Sequence, residues 1–209
     1  LKGDANFQRK VFRLLFKWHG WKVDPNLPNL GDKIIILAAP HTSNWDFVYT
    51  LAVFDLLKIP VKFTIKKEWL KWPFKKLMLR MGAIAVDRSP KNPGEKRLST
   101  VEAMVKLYHN HDHLAIMVTP EATRSLRTEW KTGFYYVAKN ANAPIALAYL
   151  DYKNKIAGVG KIIRPTDSFE DDMKQIMAFY NVPSRAKFPE KFSVDAVSYT
   201  HLTLPTKPS

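Results

Sequence analysis

The sequence has no cysteine, no long apolar run and few acidic residues, and the first two deficits exclude whole classes of protein. Without Cys among its 209 residues, the chain forms no disulfide, carries no thiolate nucleophile and offers no sulfur ligand to a metal. This absence fits a reducing compartment. No apolar stretch approaches the roughly 18 residues that span a bilayer. The first ten residues are polar and lack the apolar core of a signal peptide.

The shortage of acidic residues leaves the chain strongly basic. Asp and Glu number 19 against 33 Lys and Arg, for a formal net charge of +14. Such an excess favours an anionic partner, which could be nucleic acid, an anionic lipid surface or a phosphorylated substrate. The alternative is a merely basic, solvated surface. The hydrophobic share of 46% is ordinary, so the chain can form one domain with a real core.

The two ends of the chain differ from its middle. The sequence begins with Leu rather than Met, which indicates a fragment, and we assign one domain to residues 1–195. Residues 7–21 have the spacing of a basic amphipathic helix, which either lies in a membrane interface or packs on its own domain. Residues 196–209 lack the interleaved basic and aromatic residues of the rest of the chain and show no clear period, and we interpret them as a non-native tail.

Short β-branched runs alternate with segments of helical spacing. This order predicts a single α/β domain with a mixed, mostly parallel sheet flanked by helices. The predicted helices cover residues 7–21, 45–57, 99–109, 133–140 and 169–180. The predicted strands cover residues 33–38, 61–65, 83–86, 114–118, 143–150 and 156–163.

A His and an Asp follow the most apolar of these strands. His41 and Asp46 are separated by a short polar turn in which Ser43 or Asn44 can cap the next helix. An imidazole accepts protons near neutral pH, and a carboxylate on its other nitrogen fixes the tautomer. The pair therefore predicts a general base. The alternative is a turn histidine beside a helix-capping Asp.

Cationic and acidic residues follow other strands of the predicted sheet. Arg88 and Glu121 each come directly after a strand, Lys66 lies just beyond another, and Thr123 and Arg124 follow Glu121. Ligands of such sheets bind beyond the carboxyl ends of the strands. Arg suits bidentate binding of phosphate, and a Thr hydroxyl can assist it. Each cation taken alone is equally explained as a solvated surface charge.

Four ordered blocks then give the chain a family resemblance. They are His41–Asp46, with four residues between the His and the Asp; Gly82–Ser89, which contains an Arg; Pro120–Ser125; and the apolar strand Ala143–Ala148. With the Lys-rich element at 66–69, this order resembles the glycerophospholipid acyltransferase family, in particular the lysophosphatidic-acid acyltransferase type. The resemblance covers residues 33–150 and implies a glycerolipid acyltransferase-like fold.

The resemblance implies a reaction and a role for each residue. An acyl chain would move from acyl-CoA or acyl carrier protein to the free hydroxyl of a lysophospholipid, such as 1-acylglycerol 3-phosphate, to give phosphatidic acid. His41 would be the base and Asp46 would orient it. Lys66, Arg88 and Arg124 would bind the acceptor phosphate. Glu121 and Thr123, also predicted to bind substrate, would shape the pocket for this phosphate.

The resemblance also implies the surroundings of the reaction. No cofactor or metal is expected besides the acyl donor, and the partners are the lysophospholipid, an anionic membrane surface and, for one donor, acyl carrier protein. No nucleic acid is expected. The basic aromatic segment 69–76 would dock the protein on lipid, peripherally and at the cytoplasmic face of a membrane.

One departure from the family pattern leaves alternatives open. Ala122 stands where the family usually has Gly, which would cost stability if the position needs a positive φ. The alternatives are an acyltransferase for a lyso-aminolipid or glycerol 3-phosphate, and a non-catalytic basic module that binds anionic lipid or nucleic acid. A cluster of histidines at 109, 111 and 113 is interpreted as a solvated turn rather than a metal site.

Overall fold

The computed structural model describes residues 5–64, 75–84, 86, 97–127 and 129–192. The helices are α1 (Ala5–Trp18), α2 (Asn44–Leu56), α3 (Lys75–Met81), α4 (Thr100–His109), α5 (Gly133–Asn140) and α6 (Phe169–Tyr180). The strands are β1 (Lys22–Val23), β2 (Lys33–Ala38), β3 (Val61–Thr64), β4 (Ala83–Ile84), β5 (Leu114–Val118), β6 (Ile145–Asp151) and β7 (Ile156–Ile163). Two short 3-10 helices follow, at Pro183–Arg185 and Pro189–Lys191.

These strands form one sheet in the order β1-β7-β6-β2-β5-β3-β4. Neighbours pair in parallel throughout, except for the antiparallel pair of β6 and β7. The sheet is therefore mixed and mostly parallel, and the predicted α/β class is confirmed. Its central strand β2 lies between β6 and β5, so the carboxyl ends of these three strands meet at one edge.

The apolar run of β2 is buried on both faces of the sheet. Ile35 and Leu37 pack with α4, α5 and α6 on one face, while Ile34 and Ile36 belong to the apolar cluster that includes Phe54 of α2 on the other. A strand covered on both faces needs apolar residues at every position, which is why this stretch reads as a continuous run rather than an alternation.

The N-terminal segment differs in detail from its prediction. The expected helix over 7–21 corresponds to α1, which ends at Trp18, and Trp21 lies in the core at the start of β1. Arg9 and Arg13 of α1 pair with Asp55 of α2 at 3.3 and 3.2 Å. In the described ranges, no helix combines the length and the apolar character needed to cross a bilayer.

Candidate active site

The turn between β2 and α2 places the predicted base. Ser43 is the N-cap of α2, and its side chain accepts a hydrogen bond from the N–H of Trp45 at 3.2 Å. Asp46 is the third residue of the helix and completes a capping box with Ser43. The helix start therefore returns Asp46 toward the chain that has just left β2, and brings its carboxylate to His41.

The Asp46 carboxylate is buried, with 4% of the residue exposed. Its Oδ2 accepts the N–H groups of Thr42 and Ser43, both at 2.7 Å. Its Oδ1 accepts the hydroxyl of Tyr152, which comes directly after β6. A buried carboxylate is stabilised by such donors, so both oxygens of Asp46 are fixed.

His41 lies beside this carboxylate and keeps access to solvent. Its Nδ1 is 3.6 Å from Oδ2 of Asp46, and 21% of its side chain is exposed. The separation is that of an ion pair rather than of a short hydrogen bond. The predicted His–Asp pair is thus together, with one ring nitrogen of His41 toward the carboxylate. Such a pair can serve as a base whose ring orientation is set by a carboxylate.

Glu121 holds the main chain of His41. Its Oε1 accepts the N–H of His41 at 3.0 Å, across the edge where β2 and β5 are neighbours. Its Oε2 is buried and has no hydrogen-bond partner among the described residues. Burial raises the pKa of Glu121 to about 7, although its hydrogen bonds act in the opposite direction. The Glu121 carboxyl group therefore supports the turn that carries His41.

A cavity of about 150 Å³ opens beside His41. It lies between α2 and the face of the sheet, and Asp46 and His41 are part of its lining. Most other side chains in the lining are apolar, among them Phe47, Phe54, Phe63, Met117 and Leu150. The site thus joins a polar pair to an apolar chamber, an arrangement suited to a substrate with a reactive polar group and a hydrocarbon part.

The loop after Glu121 carries the other predicted binding residues of the third block. Ala122 has a φ of +54°, in the left-handed region. Thr123 accepts the N–H of Ser125 at 3.4 Å, and Arg124 is exposed. Neither Thr123 nor Arg124 lines the cavity. The nearest residue in sequence that does so is Thr119, which lies before Glu121. Lys66 and Arg88 lie outside the described residues.

Tyr152 is the site residue that the sequence did not indicate. It follows β6, the neighbour of β2 on the side opposite to β5, and its contact with Asp46 spans 106 positions of sequence. The available signal was its place two residues after the strand predicted over 143–150. Within the described ranges, no group of three His, Asp or Glu side chains is placed to hold a metal ion.

A protein-family model matches more than half of the chain. A family model described as Acyltransferase matches residues 22–149, from β1 to within β6. This range contains His41, Asp46, the cavity-lining strands β2, β3 and β5, and the loop after Glu121. No curated protein matches the sequence.

Proposed function

Since the chain belongs to the acyltransferase family, we propose that it moves a fatty acyl chain from acyl-CoA or acyl carrier protein to the free hydroxyl of a lysophospholipid. The proposed acceptor is 1-acylglycerol 3-phosphate, and the product is phosphatidic acid. The observation that carries the proposal is the His41–Asp46 pair in the lining of a largely apolar cavity.

His41 is the general base of this reaction. Its ring nitrogen that does not face Asp46 takes the proton of the acceptor hydroxyl as the oxygen attacks the thioester carbonyl. The carbon–sulfur bond then breaks, and the imidazolium returns the proton to the leaving thiolate. Acyl thioester and alcohol become ester and thiol, with no covalent enzyme intermediate. Asp46 stabilises the imidazolium during this transfer.

The oxyanion of the tetrahedral intermediate needs donors outside the catalytic turn. The N–H groups of Thr42 and Ser43 donate to Asp46, and that of His41 donates to Glu121. These three donors serve carboxylates, so they support the base rather than the developing negative charge. Their role is orientation, which contributes by holding the reacting groups in line.

The apolar cavity accommodates the acyl chain. Its lining by Phe54, Phe63 and Met117 offers hydrocarbon surface, and His41 belongs to the same lining. An acyl chain in the cavity would therefore bring its thioester carbonyl close to His41. Burial of each methylene stabilises the bound chain by about 0.8 kcal/mol. Arg124, with Lys66 and Arg88, binds the acceptor phosphate, and Thr123 assists at the same loop.

An exposed surface next to the site serves as the membrane contact. We define the aromatic face as Phe7, Leu14 and Trp18 of α1 together with Trp45 and Phe188, all of which are exposed. The ring of His19 bridges Trp18 and Trp45, with centroids 5.2 Å from each. The N–H of Phe188 donates to Thr42 at 3.3 Å, so the aromatic face reaches the catalytic turn.

Basic side chains border this face. Lys10 and Lys17 are exposed on α1, Lys187 lies 5.7 Å from the Trp45 ring centroid, and Lys191 lies 4.4 Å from that of Phe188. Aromatic rings flanked by lysines match the interface of an anionic bilayer, in which each basic residue contributes about 1 kcal/mol. A lipid acceptor held there would approach His41 directly from the membrane.

An acyl-transfer assay tests the proposed reaction. The assay offers 1-acylglycerol 3-phosphate with a panel of acyl-CoA and acyl carrier protein donors. We expect the wild type to form phosphatidic acid and His41→Ala to lose about 100-fold or more of kcat. The matched control is His113→Ala, because the His113 ring lies 3.0 Å from Asp32 but is 77% exposed and outside the cavity.

The outcomes separate the candidate acceptors. Transfer to glycerol 3-phosphate or to a lyso-aminolipid, without transfer to 1-acylglycerol 3-phosphate, would assign a different acceptor to the same site. Undiminished turnover in His41→Ala would remove His41 as the base. Absence of acyl transfer from every donor, combined with lipid or nucleic-acid binding, would favour a non-catalytic module.

A further inference from the structure

Tyr152 reaches the site from the end of β6. The fourth block of the family resemblance, Ala143–Ala148, stops before this end and does not include Tyr152. β6 pairs in parallel with β2, so the turn after β6 stands at the same edge as the turn that carries His41. From there the Tyr152 hydroxyl donates to Oδ1 of Asp46. Asp46 is thus held from two sides, by its own helix cap and by a neighbouring strand.

Two contacts fix the tyrosine in turn. Its main-chain N–H donates to the carbonyl of Ser184 at 2.8 Å. Its ring packs edge-to-face on Trp21, with centroids 5.0 Å apart. Burial and the neighbouring Asp46 charge raise the pKa of Tyr152 above its ordinary value, so the hydroxyl stays protonated and remains a donor. Because the Tyr152 hydroxyl is held in one position, it restricts the orientation of the Asp46 carboxylate that accepts its hydrogen bond.

We infer that Tyr152 is a positioning residue for the general base, because its hydroxyl locks the plane of the Asp46 carboxylate that faces His41. Two N–H groups hold Oδ2, but with Oδ1 unbound the carboxylate could rotate about its Cβ–Cγ bond. Rotation would move Oδ2 away from Nδ1 of His41, which is already 3.6 Å distant. The inference rests on the proposed role of His41.

The test compares two variants that each lose one tyrosine hydroxyl. Tyr152→Phe removes the donor to Asp46. Tyr49→Phe is the matched control, because the Tyr49 hydroxyl is 2.8 Å from Nδ1 of His19 in the same aromatic cluster and is not bonded to Asp46. We expect Tyr152→Phe to lower kcat about tenfold with little change in KM, as for one lost charge-assisted hydrogen bond. Tyr49→Phe should keep the wild-type kcat.

A spectroscopic measurement provides a second readout that does not depend on turnover. The ¹⁵N chemical shifts of the His41 ring distinguish its two neutral tautomers, and His41→Ala assigns the signals. In the wild type and in Tyr49→Phe we expect one tautomer, with the proton on the Nδ1 that faces Asp46. In Tyr152→Phe we expect a mixture, because the carboxylate no longer keeps one orientation.

Each outcome decides the inference. Wild-type kcat and an unmixed tautomer in Tyr152→Phe would overturn it. Equal losses of kcat and of thermal stability in both variants would also overturn it, since the hydroxyl would then be only structural. If the wild type transfers no acyl group, the proposed function fails, and the tautomer shifts still show whether Tyr152 positions Asp46 against His41.

Discussion

Ala122 holds a backbone conformation that glycine adopts freely and alanine does not. Its φ is +54°, and its N–H donates to the carbonyl of Thr119 at 3.2 Å in a tight turn. The left-handed region costs an L-residue roughly 1–2 kcal/mol, because Cβ approaches the carbonyl oxygen. The methyl group of this exposed residue adds no buried surface in return.

Ala122→Gly should therefore stabilise the protein. The relief of strain exceeds the extra entropy of glycine in the unfolded chain, so we expect a net gain of about 0.5–1 kcal/mol in the free energy of unfolding. Chemical denaturation measures this gain. Ala141→Gly is the control, since Ala141 has a φ of −92° and should lose stability. A loss in both variants would show that the turn is not strained.

Glu121 makes part of the folding stability depend on pH. Its pKa is about 7 in the folded protein, raised by burial from an ordinary value of 4.5. Below the unfolded pKa both states hold the proton, and the stabilising contribution of the neutral carboxyl is fully present. Between pH 4.5 and 7 the unfolded state loses its proton first, so this contribution is lost, by about 3 kcal/mol in total.

Glu121→Gln should remove this dependence. The amide keeps an oxygen that accepts the His41 N–H and stays neutral at every pH, so it resembles the protonated acid. We expect the free energy of unfolding of the variant, relative to wild type, to rise between pH 4.5 and 7 and then to level off. Denaturation at several pH values measures it. A difference that is constant with pH would place the Glu121 carboxyl in a solvated setting.

At the scale of elements, local sequence signals predicted the turn that carries His41 and Asp46. Contacts between residues that are distant in sequence could not be predicted. Ser43 and Asp46 form a capping box, which is encoded within four residues. Asp46 caps the helix and also lies 3.6 Å from His41, because the cap is what brings the carboxylate to the ring, and its role as the partner of a base stays a prediction. The two-residue β1 was missed because only its pairing with β7 defines it.

Tyr152 and the cavity show the same limit. The bond from Tyr152 to Asp46 depends on the order of β6, β2 and β5 in the sheet, and a single sequence states strand content but not strand order. The cavity lies between α2 and five strands, so no single segment of sequence contains its lining. The third block was visible as a motif, whereas the strain at Ala122 could be recognised only from the backbone angle φ in the structure.

The apolar residues of helix α1 serve two purposes: some pack inside the protein and others are exposed on its surface. The sequence left open whether its apolar residues pack internally or meet a membrane, and in the structure they divide between two faces. Phe12 and Phe16 pack inward, while Phe7, Leu14 and Trp18 are 63%, 67% and 80% exposed. Helical spacing places residues 7, 14 and 18 on one side of the helix. Exposed aromatic and aliphatic side chains in a row mark an interaction surface.

For the molecule as a whole, we propose that the net charge of +14 and the aromatic face make separable contributions to membrane binding. The charge attracts anionic headgroups over about a Debye length, which salt shortens to about 3 Å at 1 M. The aromatic face inserts apolar surface, and this part persists in salt. Tight binding at low salt should therefore require both anionic lipid and the exposed residues of α1.

Co-sedimentation with phosphatidylcholine vesicles, with and without phosphatidylglycerol, measures both parts. We expect wild-type binding to need phosphatidylglycerol and to weaken in salt. A Leu14→Ser and Trp18→Ser double variant should lose about tenfold or more in affinity at constant salt, because it removes two of the three large apolar side chains that α1 exposes. Leu27→Ser is the control, since Leu27 is 39% exposed but lies outside the aromatic face. Equal losses in both variants would mean that the bilayer does not meet α1, and binding indifferent to phosphatidylglycerol would remove the electrostatic part.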